Sequence, residues 1–144
     1  DSKIQKGLFH FVDTNGKVTD VQYPRDPVWR SKHKWVLNKQ MFDEIVTKHA
    51  DVGRIYLCGG ADDLERYWHL GEAVFLLRID QQTLIKRLNS PDRDNEFGKD
   101  EHTQKVLAER LERVQKRRVN QGAIPIDAVK SVDEVAKSIL ELSV

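Results

Sequence analysis

The run Ala73-Val74-Phe75-Leu76-Leu77-Arg78-Ile79 narrows the choice of fold more than any other stretch of this chain. It is apolar at nearly every position rather than at alternate ones, so a strand built from it needs cover on both faces. Parallel sheets flanked by helices supply that cover. The flanking residues agree. Asp80 is placed to cap a helix running through Leu88, and a helical pattern from about Asp100 to Asn120 carries Val106, Leu107, Leu111 and Val114 inward. Gly122 is suited to end that helix, and Ala123-Ile124-Pro125-Ile126-Asp127 reads as a further short strand. Ser131-Val132-Asp133-Glu134 then opens a last helix with a capping-box pattern.

The first half follows the same grammar. Leu8 to Val12 is strand-like and closes on the turn signal Asp13-Thr14-Asn15-Gly16, after which Val18 to Val21 is expected to pair back as a hairpin. Ser31 is expected to cap a helix to about Ala50 with Trp35, Phe42, Ile45 and Val46 inward. Arg54-Ile55-Tyr56-Leu57-Cys58 reads as a second buried strand, ending at Gly59-Gly60, with Cys58 as a small core residue. Asp62 to Leu70 reads as a short helix. Strands alternating with helices predict an α/β domain with a parallel sheet, in which ligands sit at the carboxyl ends of strands. Three loops qualify: Cys58–Ala61, the turn at Asp80, and Asp127-Ala128-Val129.

At 144 residues the chain fits one domain able to bury a core, with 39% hydrophobic and 33% charged residues. Its net charge of +1 gives no global field toward nucleic acid or an anionic membrane, so an anion site must be local. The single cysteine rules out an internal disulfide and suits a reducing cytoplasm. No apolar run reaches the roughly 20 residues of a membrane span. The chain opens Asp1-Ser2-Lys3 and its sole methionine is Met41, which reads as a piece of a longer product.

Several chemistries lack their residues. The five histidines stand at no metal-ligand spacing, so no metal site is assigned. There is no GxSxG elbow, no GxGxxG and no GxxxxGK[ST]. The helix Lys105–Arg118 is rich in Lys and Arg, but Glu109 and Glu112 interrupt it and no aromatic residue stands there for base stacking, which disfavours nucleic acid. Tyr23-Pro24-Arg25-Asp26-Pro27 is irregular, polar and aromatic, making Tyr23 and Arg25 the local candidates for substrate contact. The polar loop Arg87–Lys99 holds Arg87 and Arg93, and two guanidinium groups suit neutralisation of a phosphoryl group.

Taken together, Ile55-Tyr-Leu-Cys-Gly-Gly60, Arg87-Leu88, Asn95-Glu-Phe-Gly-Lys99 and Gly122-Ala-Ile-Pro-Ile-Asp-Ala128 resemble the C-terminal two-thirds of P-loop nucleotide-kinase-like ATPases, over roughly Gly7 to Leu140. The related group is that of small nucleoside-kinase-like proteins described as AAA family ATPases. The resemblance implies a three-layer P-loop domain with a parallel sheet, a single domain over 1–144, and a lid at about 87–120 that closes over ATP. It places Arg87 and Arg93 near the phosphates, with Arg117 reaching the active site. It puts Arg118, Asp127 and Ala128 beside the nucleotide, and implies ATP with Mg2+ and a small-molecule or nucleoside acceptor. The family's first strand, phosphate loop and first helix are missing from these residues, and the resemblance expects them before Asp1. Without them the chain would not catalyse, and a second copy or the missing segment would cover the sheet. Beside an ATP-dependent phosphotransferase or ATPase stand two alternatives: a non-catalytic ligand-binding or regulatory domain that keeps the kinase fold, and a nucleic-acid-associated module.

Overall fold

A computed structural model describes residues 7–20, 27–94 and 96–143. The chain forms two compact units, Asp1–Leu70 and Gly71–Val144.

In the first unit β1 (Phe9–Val12) is the centre of a three-stranded antiparallel sheet, flanked by β2 (Val18–Thr19) and β3 (Lys34–Leu37). The β1–β2 connection is the expected hairpin, with Phe11 opposite Thr19. Its turn is held by the Asp13 carboxylate, which accepts from the backbone N–H groups of Asn15 (2.8 Å) and Lys17 (2.9 Å). The Lys17 bond above all holds the Asp13 carboxyl below its ordinary pKa.

The single helix expected over Ser31–Ala50 is instead three elements: α1 (Pro27–Ser31), β3, and α2 (Lys39–Lys48). Lys34-Trp35-Val36-Leu37 is aromatic and β-branched, and Phe9–Val12 offers it a ladder, with Phe9 opposite Leu37 and Phe11 opposite Trp35. Ser31 caps nothing; its hydroxyl donates back to the Val28 carbonyl at 2.8 Å. Asn38 is the true cap of α2, accepting from Met41 N–H at 3.2 Å. The core of this unit is aromatic. Phe11 is 2% exposed and lies 4.7 Å from the Trp35 ring and 5.0 Å from that of Trp29.

Arg54–Cys58 forms no strand, and Ile55, Tyr56, Leu57 and Cys58 are exposed. Neither the buried strand nor the core cysteine expected there is found. Gly59 does meet a close neighbour: a Cβ at that position would stand 3.1 Å from the Phe9 ring. Its glycine therefore serves packing within this unit. A 3-10 helix over Leu64–Leu70 closes the unit.

The second unit runs β4 (Phe75–Arg78), α3 (Gln81–Leu88), α4 (Glu101–Asn120), β5 (Ile124–Asp127) and α5 (Val132–Leu142). β4 and β5 are parallel neighbours, with Phe75 opposite Ile124 and Arg78 opposite Asp127. Among the described residues this pair is the whole of the parallel sheet, and it is separate from the antiparallel one. The described residues thus mix helices and strands without stacking into three layers. Ala123, Ile126 and Ala128 are buried along β5, and Leu88 closes the end of α3.

Each helix of this unit starts on a side-chain cap, those at Asp80 and Ser131 being the ones expected from the sequence. Asp80 accepts from Thr83 N–H, Asp100 from Thr103 N–H, and Ser131 and Glu134 complete a capping box. Hydrogen bonds from Thr83, Thr103 and Ser131 hold the carboxyls of Asp80, Asp100 and Glu134 below their ordinary pKa values. The connection after α3 is folded down onto its helices. Gly98 has φ of +78° and is buried, and a Cβ there would stand 2.9 Å from Leu88 Cδ2, so only glycine fits.

Candidate functional site at the carboxyl ends of the parallel strands

β4 and β5 end side by side at Arg78 and Asp127, and the chain turns away from both at that edge. Ala128 N–H donates to the Arg78 carbonyl at 2.8 Å, extending the ladder by one bond. From there Ile79-Asp80 leads into α3, and Asp127-Ala128-Val129 forms a turn in which the Asp127 carboxylate accepts from Val129 N–H at 3.1 Å.

Two side chains from outside the strands fix these turns. Arg87, at the end of α3, donates from Nη2 to the Ala128 carbonyl at 2.6 Å. A guanidinium–carbonyl bond of this length is charge-assisted and sets the course of the loop after β5. Gln115, in the fourth turn of α4, is 8% exposed, and its amide makes a pair of bonds to one residue. Its Oε1 accepts from Ile79 N–H at 2.9 Å, and its Nε2 donates to the Ile79 carbonyl at 3.0 Å. The amide thereby stands in for a neighbouring strand at the point where β4 gives way to the Asp80 turn. Gln81 adds a bond from Nε2 to the Ala108 carbonyl at 2.9 Å, tying the start of α3 to α4.

Of the residues singled out from the sequence, the structure gathers Arg87, Asp127 and Ala128 at this edge. Arg87 reaches it as a clamp on the main chain. Arg93 turns onto the C-terminal end of α3, where Nη1 donates to the Leu88 carbonyl at 3.5 Å and helps satisfy a helix-end acceptor. Arg117 and Arg118 lie in the last turn of α4, their carbonyls accepting from Gln121 N–H at 3.0 and 3.2 Å. The Arg118 carbonyl also accepts from Ala123 N–H, so its backbone adjoins the amino end of β5. Tyr23 and Arg25 lie outside the described residues.

Gln115 was not singled out from the sequence, although a signal is present. It falls on the inward stripe with Leu107 and Leu111, and a primary amide there must find partners for both its donor and its acceptor. Two surface hollows lie elsewhere, on α2 around Gln40 and Glu44 and beside Gln81, Ile85 and Ala108, and both are open to solvent. The strand-edge turns are the better candidate because polar groups from separate elements converge there.

At the edge the Ala128 N–H and carbonyl and the Val129 N–H are hydrogen-bonded within the chain, and the Asp80 and Asp127 carboxylates accept from Thr83 and Val129 N–H. The described residues contain no glycine-rich loop of amides able to cradle a triphosphate, and no group of three His, Cys, Asp or Glu side chains that could hold a metal ion. No helix among them is long and apolar enough to cross a membrane. No family model, curated protein or solved structure matches this chain.

Proposed function

We propose that the chain is the nucleotide-flanking part of an ATP-dependent phosphotransferase or ATPase working in the cytoplasm, with the phosphate loop supplied by sequence outside these residues. The observation that carries this reading is the parallel pairing of β4 and β5 through a helix–loop–helix crossover, which sets the Asp80 and Ala128 turns side by side. Ligands of α/β sheets occupy that place. The Ala128–Val129 turn flanks the base, and the loop between α3 and α4 closes over the phosphates. Arg87 acts by shaping the turn. Arg93 has five N–H donors and gives one to a carbonyl at 3.5 Å, a long bond that a phosphate oxygen would outcompete. Leu77, Val129 and Leu140 are each about half exposed, and on this reading a strand and helix outside these residues, or a second copy, would cover them.

A second reading is a ligand-binding or regulatory domain without catalysis. It is favoured by one fact: both arginines donate to main-chain carbonyls, Arg87 to Ala128 at the strand edge and Arg93 to Leu88 at the end of α3. Measuring Mg·ATP binding and turnover on the full-length protein separates the two. The phosphotransferase reading expects both, with turnover falling at least about tenfold in Arg93→Ala, as for loss of a transition-state guanidinium contact. Binding without turnover supports the second reading, and absence of binding removes the phosphotransferase reading.

A further inference from the structure

β3 lies at the edge of its sheet, paired only with β1 among the described strands. Alternate residues of an antiparallel edge strand turn their N–H and C=O groups outward, where they are a template for another strand. On β3 these residues are Trp35 and Leu37, and both of their N–H groups and the Trp35 carbonyl are already taken. Trp35 N–H donates to Asp62 Oδ2 at 2.8 Å, and Asp62 N–H donates to the Trp35 carbonyl at 2.7 Å. Asp62 alone thus both accepts from and donates to one residue, as the opposite member of an antiparallel hydrogen-bonded pair would. Leu37 N–H, two residues further along, donates to Asp63 Oδ1 at 3.1 Å. Arg30 holds the first carboxylate in place, with Nη2 at 3.3 and 3.2 Å from its two oxygens. Arg66 N–H on the Asp63 carbonyl, at 3.0 Å, ties the pair to the 3-10 helix that follows.

We propose that Asp62 and Asp63 are a built-in cover for the β3 edge, and that they keep it from pairing with β3 of a second copy. The occupant follows from the edge itself. Lys34-Trp35-Val36-Leu37 is aromatic and β-branched with one charge, and two identical edges pair antiparallel about a two-fold axis with every group matched. Side-chain carboxylates accept but cannot donate, so the cover satisfies β3 without offering a new ladder to extend. An incoming strand would have to displace two carboxylates and strip Arg30 of its partner.

The test is made on the full chain by sedimentation equilibrium together with amide hydrogen exchange. In the wild type, Trp35 and Leu37 amides are protected to within about tenfold of Val36. In Asp62→Ala/Asp63→Ala, self-association tightens at least about tenfold, and in the oligomer the Trp35 and Leu37 amides are protected again. Asp62→Asn/Asp63→Asn keeps one acceptor oxygen at each position for the Trp35 and Leu37 N–H groups and associates as weakly as the wild type. Association that leaves the Trp35 and Leu37 amides exchanging fast runs through another surface and overturns the proposal. So does a double alanine variant that associates no more tightly than the wild type. If that variant does not fold, Asp63→Ala alone decides: Leu37 exchange at least about tenfold faster supports the cover, and unchanged exchange overturns it.

Discussion

Two runs of this chain look alike in sequence and end differently. Arg54-Ile-Tyr-Leu-Cys58 and Phe75-Leu-Leu-Arg78 are both short, apolar and rich in residues that suit strands. The second is β4, with a ladder to β5 on one side and the Gln115 amide closing its far end. The first is no strand at all, and Ile55 and Tyr56 are 43% and 45% exposed. Strand-forming residues propose a strand, but the partner decides. The same rule turned Lys34–Leu37 out of the expected helix and into β3, because Phe9–Val12 was there to receive it.

The sharpest way to break this comparison is to truncate one side chain behind each run and follow denaturant unfolding. Ile126, across from Leu77 and 4% exposed, anchors β4 from β5. Ile126→Ala should destabilise the second unit by about 2–5 kcal/mol, whereas Ile55→Ala should stay within about 0.5 kcal/mol. Equal losses would mean that Arg54–Cys58 is buried in a ladder after all.

Gln115→Ala comes next. It leaves the Ile79 N–H and carbonyl without the amide that pairs both, and should lower stability by about 1–3 kcal/mol. The Ile79 and Asp80 amides should exchange faster while those of β1 do not change. A neutral substitution would show that the β4 end needs no side-chain partner.

The smallest effect is in the response to acid. Asp80, Asp100 and Glu134 cap helices of the second unit, and their folded pKa values lie below the ordinary 3.8 for Asp and 4.5 for Glu. A carboxyl whose pKa is depressed by folding stabilises the fold above its ordinary pKa. That contribution fades as pH falls through the folded value. The first unit has one such group, Asp13. Acidification below those ordinary values should therefore weaken helix signals of Gly71–Val144, as followed by pH-dependent circular dichroism and amide shifts. Asp80→Asn, which keeps an acceptor for Thr83 N–H, should flatten that response.

What the sequence made legible was local. The Asp13–Gly16 turn, the caps at Asp80 and Ser131, and the stop at Gly122 rest on one residue's chemistry and its immediate neighbours, and all are in place. What it hid was long-range. The bond from Arg87 to Ala128 joins residues 41 apart, and that from Gln115 to Ile79 joins residues 36 apart. The polar loop made Arg87 conspicuous, but nothing local shows whether a guanidinium will meet a carbonyl or a phosphate. Gln115 was hidden because one amide in an apolar stripe looks like a flaw until its partner is known. The strand edge itself was readable from element order, since Asp80 and Asp127 each close a strand.

The central claim is that the paired ends of β4 and β5 receive a nucleotide. Titrating Mg·ATP into the isotope-labelled full-length protein and following its amide resonances tests this most directly. The account predicts saturable shifts at Ile79–Thr83 and Ala128–Val129, with further shifts in the loop around Arg93, at nucleotide concentrations up to on the order of 1 mM. Resonances that stay fixed over that range, or that move only on the outer face of α2 around Gln40 and Glu44, would contradict it.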